Sequence, residues 1–150
     1  ALYLLNDPPL AARLRAAPAE IRPAVEEFLR FTSPVQFSPR RVAKVDVELA
    51  GVTIRAGDGL FLSLASANRD ETVFSDADAL NIDRDNAAQI AFGFGIHQCL
   101  GQVLARIELQ VMFEVLLARL PTLQLAVPLQ SLRFKHDMQI YGVHNLPVRW

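Results

Sequence analysis

The chain has 150 residues, 51% of them hydrophobic, with 15 Lys or Arg against 16 Asp or Glu and a net charge of −1. That length can bury one core, so residues 1–150 are expected to form one domain or part of one, and the balanced charge offers no field to hold nucleic acid. The lone cysteine, Cys99, excludes an internal disulfide and suits the cytoplasm, and no apolar run reaches the roughly 18 residues that span a bilayer.

Residues 1–5 read as the end of a helix, and Asn6-Asp7-Pro8-Pro9 as a turn. The first residue is Ala rather than Met and opens directly into a helical pattern, as expected of a truncated chain. Leu10, Leu14 and Ala17 mark a short amphipathic helix closed by Pro18. From 19 to 31 the helical period returns, with Ile21, Val25, Phe28 and Leu29 on one face, and Ser33-Pro34 stops it. Residues 45–49 and 52–54 alternate about Ala50-Gly51, which predicts a hairpin, and Gly57-Asp58-Gly59 turns into a further strand at 60–64. A loop rich in Asp and Asn runs from 68 to 89; loops of this length are uncommon unless functional. From 100 to 120, apolar residues at 100, 104, 107, 111 and 115 predict a helix facing the core with that stripe, ended by Pro121. Short closing strands are expected at 123–127, 138–141 and 146–150.

The most informative stretch is Phe92–Gly101, reading FGFGIHQCLG. Glycines at 93, 95 and 101 let the backbone take unusual turns and approach a flat ligand closely. A cysteine at the mouth of a helix has its thiolate stabilised by the positive helix end, and such a thiolate can serve as the axial ligand of a haem iron. Three other readings compete: a small buried hydrophobe, a glycine-rich helix cap, and a reactive thiol beside His97. A zinc site drawn from His97, Cys99, His136 and His144 is a further alternative, although no paired ligand spacing supports it. The joint occurrence of Phe, three glycines, His and Cys in one window favours the haem reading. A second feature is Glu27-Phe28-Leu29-Arg30, where an acid and a base three apart share one helix face beside apolar neighbours.

Phe92, Gly95, Cys99 and Gly101 fit the pattern Phe-x-x-Gly-x-x-x-Cys-x-Gly without a gap. This resembles the cysteine-loop signature of the cytochrome P-450 monooxygenases. Ala67-Asn68-Arg69-Asp70, Leu104-Ala105-Arg106 and the terminal Leu146–Trp150 are similar to soluble actinobacterial members. The resemblance implies a mainly α fold with a small β region (α+β), and it places residues 1–150 in the C-terminal, haem-ligating part of that domain.

It also implies roles. Cys99 would be the iron ligand and catalytic centre, with Phe92, Gly93, Gly95 and Gly101 shaping the loop beneath a haem b. Arg41 and His97 would meet the propionates, while Gln89 stands where many relatives have a histidine. Glu27 and Arg30 would form the family's structural pair. The family often completes that pair with an arginine in a Pro-x-Arg-Phe-like segment, where this chain reads Ala77-Asp78-Ala79-Leu80; Arg69 and Arg84 are the candidates to replace it. Val35, Gln36 and Phe37, with Met138, Gln139 and Ile140, would line a pocket for a hydrophobic substrate. The implied protein is a cytoplasmic monomer served by a ferredoxin and a ferredoxin reductase, with Arg106, Arg13 and Arg15 as candidate docking residues. The alternative within the same fold is a catalytically inactive module that docks onto another protein.

Overall fold

A computed structural model describes residues 1–150, and its helices carry the core while its strands are short. Helix α1 (Leu2–Asn6) leads directly into α2 (Pro8–Ala16). Asp7 caps α2 by accepting the Leu10 N–H at 3.0 Å, and Pro8 and Pro9 occupy first-turn positions where no N–H is required. A 3-10 turn at Pro18–Glu20 feeds α3 (Ile21–Thr32), the most buried helix. It ends at Ser33, whose positive φ of 34° and hydroxyl bond to the Arg30 carbonyl at 2.8 Å close the last turn ahead of Pro34.

The β elements follow. β1 (Arg41–Val42) pairs antiparallel with β4 (Gly59–Leu60), and between them β2 (Val47–Leu49) and β3 (Val52–Ile54) form the expected hairpin. Ala50 and Gly51 both have positive φ, 48° and 78°, so the two-residue turn matches the twist of its strands. The strand expected at 60–64 stops at Leu60. Ser63 instead caps the one-turn helix α4 (Leu64–Ala67), its hydroxyl accepting the Ser66 N–H at 3.2 Å. The long acidic loop is confirmed from residue 69 onward. Helix α5 (Gln102–Arg119) follows the cysteine loop, and β5 (Gln124–Leu125) pairs with β6 (Val148–Arg149). Residues 138–141 form no strand; Ile140 makes a single bridge to Val35. No helix is long and apolar enough to cross a membrane.

The core lies where α2, α3 and α5 meet: Leu14, Ile21, Val25, Phe28, Phe113 and Leu117 are buried together, and the rings of Phe28 and Phe113 sit 5.4 Å apart. Within residues 1–150, α5 packs on a different face from the stripe that the periodicity picks out. Leu104, Ile107, Val111 and Val115 are exposed, as is Leu100 just before the helix, whereas the buried stripe runs through Leu109, Phe113 and Leu117. Both stripes have helical spacing, and a helix with two apolar stripes gives periodicity little to choose between them. What selects the inner stripe is tertiary: Phe113 meets Phe28, and Arg15 on α2 donates to the Leu117 and Pro121 carbonyls, each at 3.1 Å, locking the two helices together.

Truncating the inner stripe should therefore dominate the stability of this region. Phe113→Ala is expected to cost about 3–5 kcal/mol in the full-length protein. Val52→Ala, on the exposed hairpin, should stay within about 0.5 kcal/mol. Denaturant titration checks both.

Candidate functional site

The cysteine loop is held by its own backbone. Gly93 and Gly95 both have positive φ, 73° and 69°, a conformation that side chains disfavour. The Gly93 N–H donates to the Ile90 carbonyl at 2.8 Å, and a Cβ at position 93 would meet the His97 carbonyl oxygen at 3.6 Å. A 3-10 turn over Gly95–His97 then carries the chain to Cys99, whose N–H donates to the Phe92 carbonyl at 2.9 Å. Helix α5 starts at Gln102 with Gly101 as its cap, so no side chain covers the first-turn amides beside the thiol. Cys99 is exposed, and Phe94, Ile96 and Leu100 of the same loop are almost completely exposed. Within residues 1–150, the thiol and these bare apolar side chains form one exposed patch. It is a surface suited to a large, flat, apolar partner.

Beneath this loop lies a buried ionic network centred on Glu27 and Arg30. Both side chains have no exposed area. Arg30 grips the carboxylate bidentately, Nε to Oε2 at 2.7 Å and Nη2 to Oε1 at 2.9 Å. Its remaining donors reach the carbonyls of Asn68 at 2.7 Å, Ala77 at 2.9 Å and Ala79 at 3.1 Å. Oε1 of Glu27 also accepts the Asn81 N–H at 2.8 Å. Burial alone would raise the Glu27 carboxyl. The hydrogen bonds from Arg30 and Asn81, with the charges of Arg30 and Arg84, outweigh burial and hold it below its ordinary value.

Two residues that sequence reasoning left without a role connect this network to the cysteine loop. Asn68, fully buried, donates to the Ser33 hydroxyl at 2.8 Å and accepts the Ile90 N–H at 2.9 Å, joining the end of α3 to the start of the loop. Glu26, the neighbour of Glu27, points to the other side. It accepts Arg106 Nε at 2.7 Å and Nη2 at 3.2 Å, and Gln89 Nε2 at 2.8 Å. Gln89 also accepts the Ala91 N–H at 2.8 Å, and the Arg106 guanidinium lies 4.7 Å from the centre of the Phe92 ring. The double glutamate, Glu26-Glu27, was the available signal.

Arg106 is thus not a free docking charge: Glu26 neutralises it. Arg13 is likewise paired with Glu20 and Asp83, and Arg15 is bound to the end of α5. Each of the three guanidinium groups therefore has an intramolecular partner, carboxylates for Arg106 and Arg13 and backbone carbonyls for Arg15. Arg41 lies in β1 with Nη1 donating to the Pro39 carbonyl at 2.9 Å, and His97 is exposed in the 3-10 turn. The two pocket segments are brought together: Val35 bridges Ile140, and the Tyr141 N–H donates to the Pro34 carbonyl at 2.8 Å. Phe37, Met138, Gln139 and Ile140 are exposed there, with Val35 and Gln36 half-buried. The zinc alternative fails, since no three His, Cys, Asp or Glu side chains are grouped to hold a metal ion.

The family model for cytochrome P-450 matches residues 21–133. The chain is 52% identical over 149 residues to cytochrome P-450-SU2 of Streptomyces griseolus, covering 99% of this chain and 37% of that protein. It is 48% identical to the vitamin D3 dihydroxylase of Streptomyces griseolus, again over 99% of this chain and 37% of the relative. The crystal structure of the cytochrome P-450 MoxA from Nonomuraea recticatena superposes with a TM-score of 0.96 at 47% identity, covering 99% of this chain and 37% of that one. The chain therefore spans well under half the length of the relatives it matches.

Removing either partner of the buried pair leaves a desolvated charge. Glu27→Ala or Arg30→Ala should destabilise the full-length protein by about 3–5 kcal/mol, read by denaturant titration. Because the folded-state pKa of Glu27 lies below its unfolded value, its stabilisation is present above about pH 4.3 and is lost as pH falls through the folded value. The parent should therefore show an acid transition below that pH that Glu27→Gln weakens.

Proposed function

Because the chain belongs to the cytochrome P-450 family, we propose that the full-length protein is a haem-thiolate monooxygenase in which Cys99 ligates the iron of a haem b. The observation that carries this reading is the exposed Cys99 thiol on a glycine-shaped loop, among the bare apolar side chains of Phe94, Ile96 and Leu100. These residues fit the group: sulfur for iron, apolar side chains for the macrocycle, and the Arg41 guanidinium and His97 imidazole for its carboxylates. When bound, the haem supplies binding and reductive activation of O2, so that one oxygen atom enters an organic substrate.

The chain's own residues hold and shelter. Cys99 binds as thiolate, with its N–H turned to the Phe92 carbonyl and therefore its backbone fixed. Gly93 and Gly95 supply the turns that present the sulfur, while Phe94, Ile96 and Leu100 would pack against the bound macrocycle and shelter the sulfur from water. Arg41, whose planar fork suits a carboxylate, and His97 hold the propionates. Val35, Phe37, Met138 and Ile140 offer apolar surface to a hydrophobic small molecule, and Gln36 and Gln139 supply amides beside it. Electrons come from a ferredoxin and its reductase to a cytoplasmic monomer. Arg106, with Arg13 and Arg15, is the candidate docking set, although Arg13 and Arg106 also hold carboxylates of this chain and Arg15 holds two backbone carbonyls.

The test is ligation. The reduced carbon-monoxide complex of the full-length protein should show the red-shifted Soret band of thiolate ligation, and Cys99→His should keep some haem while losing that band. A band unchanged in Cys99→His would overturn the assignment.

A further inference from the structure

Position 79 is alanine where the Pro-x-Arg-Phe-like segment would place an arginine, yet the buried Glu27 carboxylate still faces two cations. We propose that Arg84 is the second cation of the Glu27 cluster, standing in for the arginine that position 79 lacks, and that it positions the 69–89 loop through that carboxylate.

The geometry separates Arg84 from the other candidate. The Arg84 side chain is only 8% exposed, and its Nε lies 3.5 Å from Glu27 Oε1. That Nε is buried and has no hydrogen-bond partner, so its closest compensation is the Glu27 carboxylate. Nη1 donates to the Ser75 carbonyl, and Nη2 donates to those of Asp76 at 3.0 Å and Ala79 at 3.3 Å. The Ala79 carbonyl accepts from Arg30 as well, at 3.1 Å, so the two guanidinium groups meet at the residue where the arginine is missing. Arg69 is committed elsewhere: it pairs with Asp78, donates to the Phe31 carbonyl at 2.9 Å and lies 4.2 Å from the Phe31 ring centre.

A guanidinium this buried needs an anion beside it. The groups facing Glu27 are Arg30 from its own helix and, from the loop, Arg84 and the Asn81 N–H. Asp78 is turned away to Arg69, so Glu27 is the carboxylate that Arg84 meets in the buried cluster. One anion held between two cations, each also binding loop carbonyls, makes the loop's path depend on the second cation as much as on the first. Arg84 reaches Glu27 from five residues beyond position 79.

The test uses the full-length protein and reads folding, so it stands apart from the haem assignment. Arg84→Gln removes the charge and should raise the midpoint of acid unfolding by about half a pH unit or more, since Glu27 then protonates at higher pH. In a Glu27→Gln background the same change should leave the midpoint where it was. An unchanged midpoint in Arg84→Gln, or an equal rise without the Glu27 carboxylate, would overturn the assignment.

Discussion

One buried ion pair organises this region. Glu27 and Arg30 have no exposed area, and two isolated charges in that setting would be strongly destabilising. They are tolerated because the surrounding loop needs what they offer. Residues 69–89 contain no helix or strand, so their buried carbonyls cannot satisfy one another in a regular ladder. Arg30 donates to the carbonyls of Asn68, Ala77 and Ala79, and Glu27 accepts the Asn81 N–H. Helix α3 thus acts as a side-chain template for a segment that has no secondary structure of its own.

The same helix reaches the cysteine loop by two routes. One passes from Arg30 through Asn68, whose side chain receives the Ile90 N–H and binds the Ser33 hydroxyl. The other passes from Glu26 through Gln89 and Arg106 to the Phe92 ring. Phe92 in turn receives the Cys99 N–H. Glu26 thus ties both flanks of the loop that presents the thiol, Gln89 before it and Arg106 after it, while Arg30 anchors Asn68. Charged residues near a reactive thiol need not be there for a partner; here Arg106 is used in holding the loop together.

Local signals were the legible ones. The glycines of Phe92–Gly101, the Ala50-Gly51 turn and the stripe Ile21, Val25, Phe28 and Leu29 each reflect a backbone or periodic constraint confined to a few neighbouring residues. The Glu27–Arg30 pair was legible as a pair, because the two sit three apart on one helix. What was not legible depends on distant residues. The face of α5 that packs within residues 1–150 is set by Phe28 and Arg15, far away in the chain, and α5 carries a second apolar stripe of its own. Ser63 was read as part of a strand because its role as a helix cap shows only in the fold. The partner of Arg106 lies 80 residues away, so its charge read as free when the fold had already paired it.

If α3 templates the loop as described, the amides it holds cannot open by themselves. Hydrogen exchange at the Asn81 and Ile90 N–H groups, bound to Glu27 and Asn68 side chains, measures this directly. The account predicts that both exchange only with global unfolding, at the same free energy as the central amides of α3, and that Glu27→Gln speeds them together. Fast exchange at either amide while α3 stays protected would contradict it, because the loop would then be ordered independently of the buried pair.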